Sequence, residues 1–186
     1  MAKILRGGSL LFVLLYSVCS FATSLKSSSL RDSVALTYLS QIGVTELTGN
    51  NDGPMVEAYQ KVTGNKKGDA WCASFVAWSF AQNKLPVHGN AMAASWFRKP
   101  FLVWTQRDGE RSFDKLAGFR ANCGSIYFAK LKRIGHIFFI EDRRGGYVVT
   151  VEGNTNNGMS REGVGVFSLK RRIRNIYSIS NHFKNG

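Results

Sequence analysis

The chain has 186 residues and a formal net charge of +13 at pH 7, and 44% of its residues are hydrophobic and 12% aromatic. This composition excludes a wholly disordered chain, and the length allows one domain with a full core but not a catalytic domain plus a sizeable binding module. So large a positive charge favours polyanionic partners, which are nucleic acid, anionic lipid or a bacterial wall.

The segment Met1–Ala22 has the pattern of a secretory signal peptide. Lys3 and Arg6 form its basic start, residues 10–18 its apolar core, and small residues mark a cleavage site at its end. A retained anchor and a lipoprotein cleavage before Cys19 are the alternatives, but the apolar run is short for a membrane span. We therefore expect an exported protein (periplasmic, in the envelope or secreted) with no membrane span after cleavage. Its charge then falls by two, from +13 to +11.

Two helices are predicted after this segment, within a single domain that covers residues 30–186. A Ser-rich leader at residues 23–29 is expected to be flexible, and the apolar spacing of residues 30–42 then predicts an amphipathic helix ended by a glycine. The turn at residues 50–54 leads into a second helix at residues 55–62, capped by an Asn or Asp and with a proline in its first turn. Calcium binding is the alternative for this acid–amide cluster, but the spaced ligands and closing Glu are missing.

A third predicted helix carries a cysteine at its start. A Gly-Asp turn at residues 68–69 opens into an apolar run that continues to about Lys84. With Asp69 or Ala70 near the N-cap, Cys72 lies in the first turn, where the helix dipole and unpaired N–H groups favour a thiolate and can also hold an oxyanion. A small apolar residue in a core helix is the alternative interpretation of Cys72.

The C-terminal half has the residue pattern that is typical of β-strands. The segment at residues 98–120 is mixed, with Trp104 and Phe113 expected to pack inward, whereas later segments are short and rich in β-branched and aromatic residues. The predicted strands are Ser125–Ala129, Gly135–Glu141, Tyr147–Glu152, Gly163–Leu169 and Asn175–Ser180. Residues 143–146 predict a hairpin turn. Helices followed by strands predict an α+β fold with N-terminal helices packed on an antiparallel sheet.

The predicted hairpin brings two polar residues to its open end. If the strands flanking residues 143–146 pair, His136 and Glu152 lie at the same open end of the hairpin. One imidazole nitrogen could face the Cys72 thiol while the other donates to Glu152 or Asn154, which is the nucleophile, base and orienter arrangement of a cysteine hydrolase. A structural histidine is the alternative for His136, but a buried carboxylate without a partner would be costly.

Three segments together resemble a known family. Gly68–Val76, Gly135–Ile137 and Val151–Thr155 are similar to the three motifs of the CHAP family, the cysteine, histidine-dependent amidohydrolases and peptidases. The similarity covers about residues 43–169. It implies a papain-like catalytic core and cleavage of amide bonds in bacterial peptidoglycan, either between muramic acid and L-alanine or within the peptides. We also expect the protein to be a monomer.

The resemblance also assigns roles to residues. It implies that Cys72 is the nucleophile, that His136 is the base, and that Glu152 and Asn154 orient the histidine. The Pro-Gly-Asp-like sequence that usually begins the strand before the histidine is replaced by Cys123–Ile126, so a supporting contact of that Asp is lost while the three catalytic residues are kept. The acidic calcium loop of some members is missing, so we expect no metal, and we expect no other cofactor. A catalytic thiolate also argues against a Cys72–Cys123 disulfide, which the exported compartment would permit.

The leading hypothesis is therefore a secreted peptidoglycan hydrolase, and the alternative is an inactive envelope- or wall-binding module on the same fold. Nucleic-acid binding is disfavoured because the chain is predicted to be exported and carries no nucleic-acid motif. The best candidate for a wall-adhesion patch is the C-terminal basic cluster, with solvated loop charge as its alternative. This cluster consists of Lys170, Arg171, Arg172 and Arg174.

Overall fold

The structure is a computed structural model that describes residues 29–116, 118–156 and 163–183. The predicted signal peptide, Met1–Ala22, and residues 23–28 of the predicted leader lie outside these described residues. Residue 29 is already helical, so the first helix begins one residue earlier than predicted.

The α-helices precede most of the sheet in the described chain, and the sequence predicts the first three of them. They are α1 at residues 29–39, α2 at Pro54–Val62, α3 at Cys72–Gln82 and the one-turn α4 at Glu110–Phe113. A 3-10 helix lies between α3 and α4 at Ala93–Phe97. Helix α3 is apolar on nearly all sides because it runs through the core between α2 and the sheet. Within the described residues, no helix combines the length and the apolar character that crossing a membrane requires.

The strands form one antiparallel sheet. Among the described residues they are β1 at Leu102–Thr105, β2 at Asn122–Phe128, β3 at Arg133–Arg144, β4 at Tyr147–Thr155, β5 at Gly165–Arg172 and β6 at Ser178–Ser180. Their spatial order is β1-β6-β2-β3-β4-β5. The fold is therefore α+β, with helices first and an antiparallel sheet after them, which confirms the predicted class.

One predicted feature of the sheet is confirmed and one strand was not predicted. The hairpin is confirmed, since Arg144 pairs with Tyr147 across a turn in which Gly145 has a φ of 60°. Strand β1 was missed within the mixed segment, although Trp104 and Phe113 are buried as expected. Its partner is β6, more than 70 residues later, so nothing in the local pattern reveals the pairing.

The sheet separates two hydrophobic cores. Alternate residues of β3 divide between them, with Ile137 and Phe139 packing among the helices and Phe138 and Ile140 packing on the other side. The first core is rich in aromatic contacts, including Tyr38 stacked on Phe139 with ring centroids 4.4 Å apart. This packing holds α3 firmly against β3 and β4, the strands that carry the predicted site residues.

The start of α2 differs from the prediction. Pro54 does occupy the first position, but the N-cap is Gly53 and no side chain caps it, so the Asn or Asp cap is wrong. The Asp52 carboxylate instead accepts hydrogen bonds from the backbone N–H and the hydroxyl of Thr48, at 2.9 Å each. Local bonding within the turn satisfies this carboxylate before the helix begins.

Candidate active site

Cys72 is the first residue of α3, with Trp71 as the N-cap. The prediction of a first-turn cysteine is thus confirmed, although the capping residue is neither Asp69 nor Ala70. The Asp69 carboxylate is used elsewhere, accepting the backbone N–H of Lys66 at 2.8 Å. Trp71 is fully buried, and its indole donates to Glu46 at 2.9 Å, which fixes the chain immediately before the cysteine.

A glycine allows β4 to lie directly on the start of α3. A Cβ added to Gly153 would stand 2.8 Å from side-chain atoms of both Phe75 and Trp71, closer than real Cβ contacts come. Any larger residue would push the strand away from the helix. The residue before it, Glu152, is therefore carried to the neighbourhood of Cys72 by close backbone packing.

His136 and Glu152 form a buried pair. The imidazole Nε2 lies 2.8 Å from Oε2 of Glu152, and the two residues are 8% and 0% exposed. With Nε2 engaged in this way, Nδ1 is the ring nitrogen left to form the hydrogen bond between His136 and the Cys72 thiol. The structure thus brings together three of the four residues predicted from sequence, one each from α3, β3 and β4.

The environment alters the pKa of both Cys72 and His136. Burial by itself raises the pKa of the Cys72 thiol, but the hydrogen bond and charge of His136, with the N–H groups of Ile137 and Ala73, bring it below its usual value. Burial lowers the pKa of His136, but hydrogen bonds with Cys72 and Glu152 outweigh this and raise it to about 9. Both directions favour a thiolate–imidazolium pair at neutral pH.

The Glu152 carboxylate is held by three further donors. The Thr150 hydroxyl and Nε of Arg171 each donate to Oε1, and Nη2 of Arg171 donates to Oε2, all at 2.5 Å. Burial raises the pKa of this carboxyl group, but the bonds from His136 and Arg171 lower it to about 2. A fully buried residue thus remains a carboxylate at neutral pH.

Arg171 corrects the interpretation of the C-terminal basic cluster. Its place in the sequence groups Arg171 with Lys170, Arg172 and Arg174 as candidate surface charge, whereas the Arg171 guanidinium donates hydrogen bonds to Glu152. The strand alternation of β5 separates them, because Lys170 and Arg172 are exposed while Arg171 is only partly so. Because side chains alternate between the two faces of a strand, the strand pattern of residues 165–172 could have shown that Arg171 faces the other way from Lys170 and Arg172.

Asn154, the fourth predicted site residue, makes its hydrogen bond elsewhere. Its amide donates to the side-chain oxygen of Asn51, and both residues have a left-handed backbone, with φ of 53° and 55°. Asn51 in turn donates from its side chain to the carbonyl of Gly68, just before the nucleophile helix. Asn154 therefore links the end of β4 to the loops around α3, while Glu152 contacts the imidazole. The sequence analysis missed the contribution of Asn51.

Both cysteines of the described chain are free. Cys123 lies within β2, fully buried, opposite Phe139 on one side and Ser180 on the other. The disulfide considered from the sequence is absent between these two thiols, which leaves Cys72 able to bond to His136.

Within the described residues, no group of three or more His, Cys, Asp and Glu side chains has a metal-binding arrangement. Searches with protein-family models, curated proteins and solved structures found no match to this chain. The chemistry of the site is therefore inferred from its own geometry: a thiol at a helix start, an imidazole bonded to it, and a buried carboxylate bonded to the imidazole.

Proposed function

We propose that this chain is an exported cysteine hydrolase of the CHAP type that cleaves amide bonds of bacterial peptidoglycan, as an N-acetylmuramoyl-L-alanine amidase or an endopeptidase. The observation that carries the proposal is the continuous contact from Cys72 through His136 to Glu152. A structural cysteine needs no base, and a structural histidine needs no ionised carboxylate behind it.

The geometry supports a two-step acyl transfer. The Cys72 thiolate attacks the carbonyl carbon of the amide, and the carbonyl oxygen becomes an oxyanion that the unpaired N–H groups at the start of α3 can stabilise. The imidazolium of His136 gives its proton to the leaving amine as the C–N bond breaks, which leaves a thioester. His136 then takes a proton from water, the hydroxide attacks the thioester, and the acid product leaves as the thiolate is restored.

Charge supports an anionic wall polymer as the partner. The net charge is +13 and falls to +11 once the predicted signal peptide is removed, and Lys170 and Arg172 project from β5 on the exposed side, next to Arg144 of β3. A surface cavity of about 330 Å³ is lined by Arg144, Tyr147, Val149 and Lys170, and the Arg172 guanidinium lies 5.5 Å from the Tyr147 ring centroid. Carboxylates and phosphates of a wall would be attracted to such a surface.

Digestion of purified sacculi by the mature protein tests the activity, with the released fragments identified by mass spectrometry. We expect the wild type to release fragments with a newly freed amine and carboxylate, and Cys72→Ala to lose at least about 10³-fold of this activity, because alanine has no group that can form the thioester. Undiminished release by Cys72→Ala would overturn the cysteine mechanism. Wild-type binding to sacculi without any release would favour the inactive wall-binding module instead.

Salt tests the role of the exposed charge. We expect activity on sacculi to fall steeply up to about 0.3 M salt, where screening limits exposed charges to roughly 6 Å, and activity on a soluble muropeptide to change little. The double variant Lys170→Gln/Arg172→Gln should reproduce this loss on sacculi at low salt. Lys61→Gln/Lys115→Gln removes the same charge at exposed positions elsewhere and is the matched control. A parallel loss on both substrates would contradict adhesion through this surface.

A further inference from the structure

We propose that Arg171 is a positioning residue of the active site, whose two-pronged contact holds the buried Glu152 carboxylate ionised and aimed at His136. The proposal deepens the proposed function, on which it rests, by adding a residue that sets the pH range over which Cys72 is reactive. Arg171 touches neither the thiol nor the imidazole in the bonds described above, and it acts through Glu152.

The strand pairing explains why Arg171 reaches Glu152. Arg171 lies opposite Val148 on β4, and residues 148, 150 and 152 share one face of that strand. Its side chain extends along this face, where the guanidinium carbon lies 5.4 Å from the centroid of the Phe138 ring. The aromatic ring supports the cation from one side while the carboxylate binds its edge, so the guanidinium is fixed in two directions.

The burial of Glu152 makes this contact necessary. Its side chain is 0% exposed, whereas that of Arg171 is 27% exposed, so the pair is desolvated mainly on the carboxylate side. A buried carboxylate without a cation would take up a proton, and a neutral Glu152 would stabilise the imidazolium of His136 far less. His136 alone cannot serve as the permanent counter-charge, because it must give up its proton during each turnover.

The charges of the site alternate from solvent to nucleophile. Arg171 from β5 is positive, Glu152 from β4 negative, the His136 imidazolium from β3 positive and the Cys72 thiolate from α3 negative. Among the described residues, these are the charged groups that act on Glu152 and His136, and the neutral Thr150 hydroxyl also donates to Glu152. Removal of Arg171 leaves one excess negative charge in a desolvated site. A proton on Glu152 or on the thiol removes this excess, so the reactive state begins at higher pH.

The test is the pH profile of Cys72 alkylation by iodoacetamide, followed by mass spectrometry of the full-length mature protein. We expect Arg171→Gln to move the low-pH limb of the profile upward by about one pH unit, as expected for a lost charge partner. Arg171→Lys keeps the charge but lacks the planar fork, so a smaller upward shift of about a third to half a unit is expected. Lys170→Gln and Arg172→Gln remove the same charge from the two flanking exposed positions and should leave the limb unchanged.

An Arg171→Gln profile that coincides with that of Lys170→Gln would overturn the proposal. If Arg171→Gln does not fold, the Arg171→Lys variant provides the test. An Arg171→Lys profile that superimposes on that of the wild type would overturn the proposal that the two-pronged guanidinium contact is required. Alkylation needs no substrate, so this outcome is separate from that of the proposed function. If the wild type fails to digest sacculi, the proposed hydrolase activity is contradicted. If the low-pH limb of the alkylation profile does not move when Arg171 is replaced, only the positioning role of Arg171 is contradicted.

Discussion

The two cysteines of the described chain are both free and buried, yet their surroundings shift their pKa values in opposite directions. The pKa of Cys72 lies below the ordinary thiol value, and that of Cys123 lies well above it. Cys72 is 8% exposed at the start of a helix, whereas Cys123 is fully enclosed in the middle of β2. Since burial disfavours both thiolates, burial cannot explain the difference.

The difference comes from what each thiol has for a neighbour. Cys123 has a cation nearby, Arg31, but the Arg31 guanidinium donates to three oxygens at 2.8 Å, on Arg120, Asn122 and Asn181. These bonds hold Arg31 as a link between α1 and the sheet, and its attraction does not offset burial. Cys72 instead has a dedicated hydrogen-bond partner, His136, which is itself held by a carboxylate. The two buried thiols therefore differ in whether a base lies within hydrogen-bonding distance, and this difference accounts for the opposite shifts of their pKa values.

Among the substitutions considered, His136→Ala should most reduce the difference between the Cys72 and Cys123 thiols. Loss of the imidazole removes the bond and the charge of His136, which lower the pKa of Cys72, and leaves burial opposed only by the N–H groups of Ile137 and Ala73. The pKa of Cys72 should then move upward, which is the direction seen for Cys123, and we expect its alkylation rate at pH 6 to 7 to fall by about 10²-fold. His88→Ala, which removes a histidine outside the site, is the control. Unchanged alkylation in His136→Ala would show that the helix start alone activates the thiol.

A smaller loss is expected for Glu152→Gln. The amide can still accept the imidazole N–H and orient the ring, but the negative charge that stabilises the imidazolium is gone. We expect hydrolysis of sacculi to fall by about tenfold, and the pKa of His136, measured by NMR, to fall from its raised value. Glu110→Gln, at an exposed position, should change neither quantity. A His136 pKa that stays near 9 in Glu152→Gln would contradict the role given to the carboxylate.

The smallest effect is expected for Cys123→Ala. The substitution removes one buried sulfur and should cost about 1 kcal/mol in the free energy of unfolding, through a small cavity in the core. Hydrolysis of sacculi should stay within twofold of the wild type, and reductant should not lower it. Chemical denaturation measures the first quantity and the sacculus assay the second. Inactivation of the wild type by reductant would instead indicate a structural disulfide.

Local sequence features were enough to predict much of the fold. The apolar periodicities predicted α1, α2 and α3 with ends within three residues, and the run Arg143–Gly146 predicted the β3–β4 hairpin. These elements depend on hydrogen bonds between residues close in the chain, so their signals are local. Strand β1 was missed because its partner, β6, is distant in sequence.

For the site, residue type and local pattern were enough to name most of the candidate residues. Cys72 after a Gly-Asp turn, His136 at a strand and Glu152 after an apolar run could be named from residue type and pattern alone. The contact between Arg171 and Glu152, and the bond from Asn154 to Asn51, were decided only by the tertiary structure. The reason is physical: side-chain partners on neighbouring strands depend on register, and a shift of one residue in β5 would have turned Arg171 to solvent and Lys170 toward Glu152.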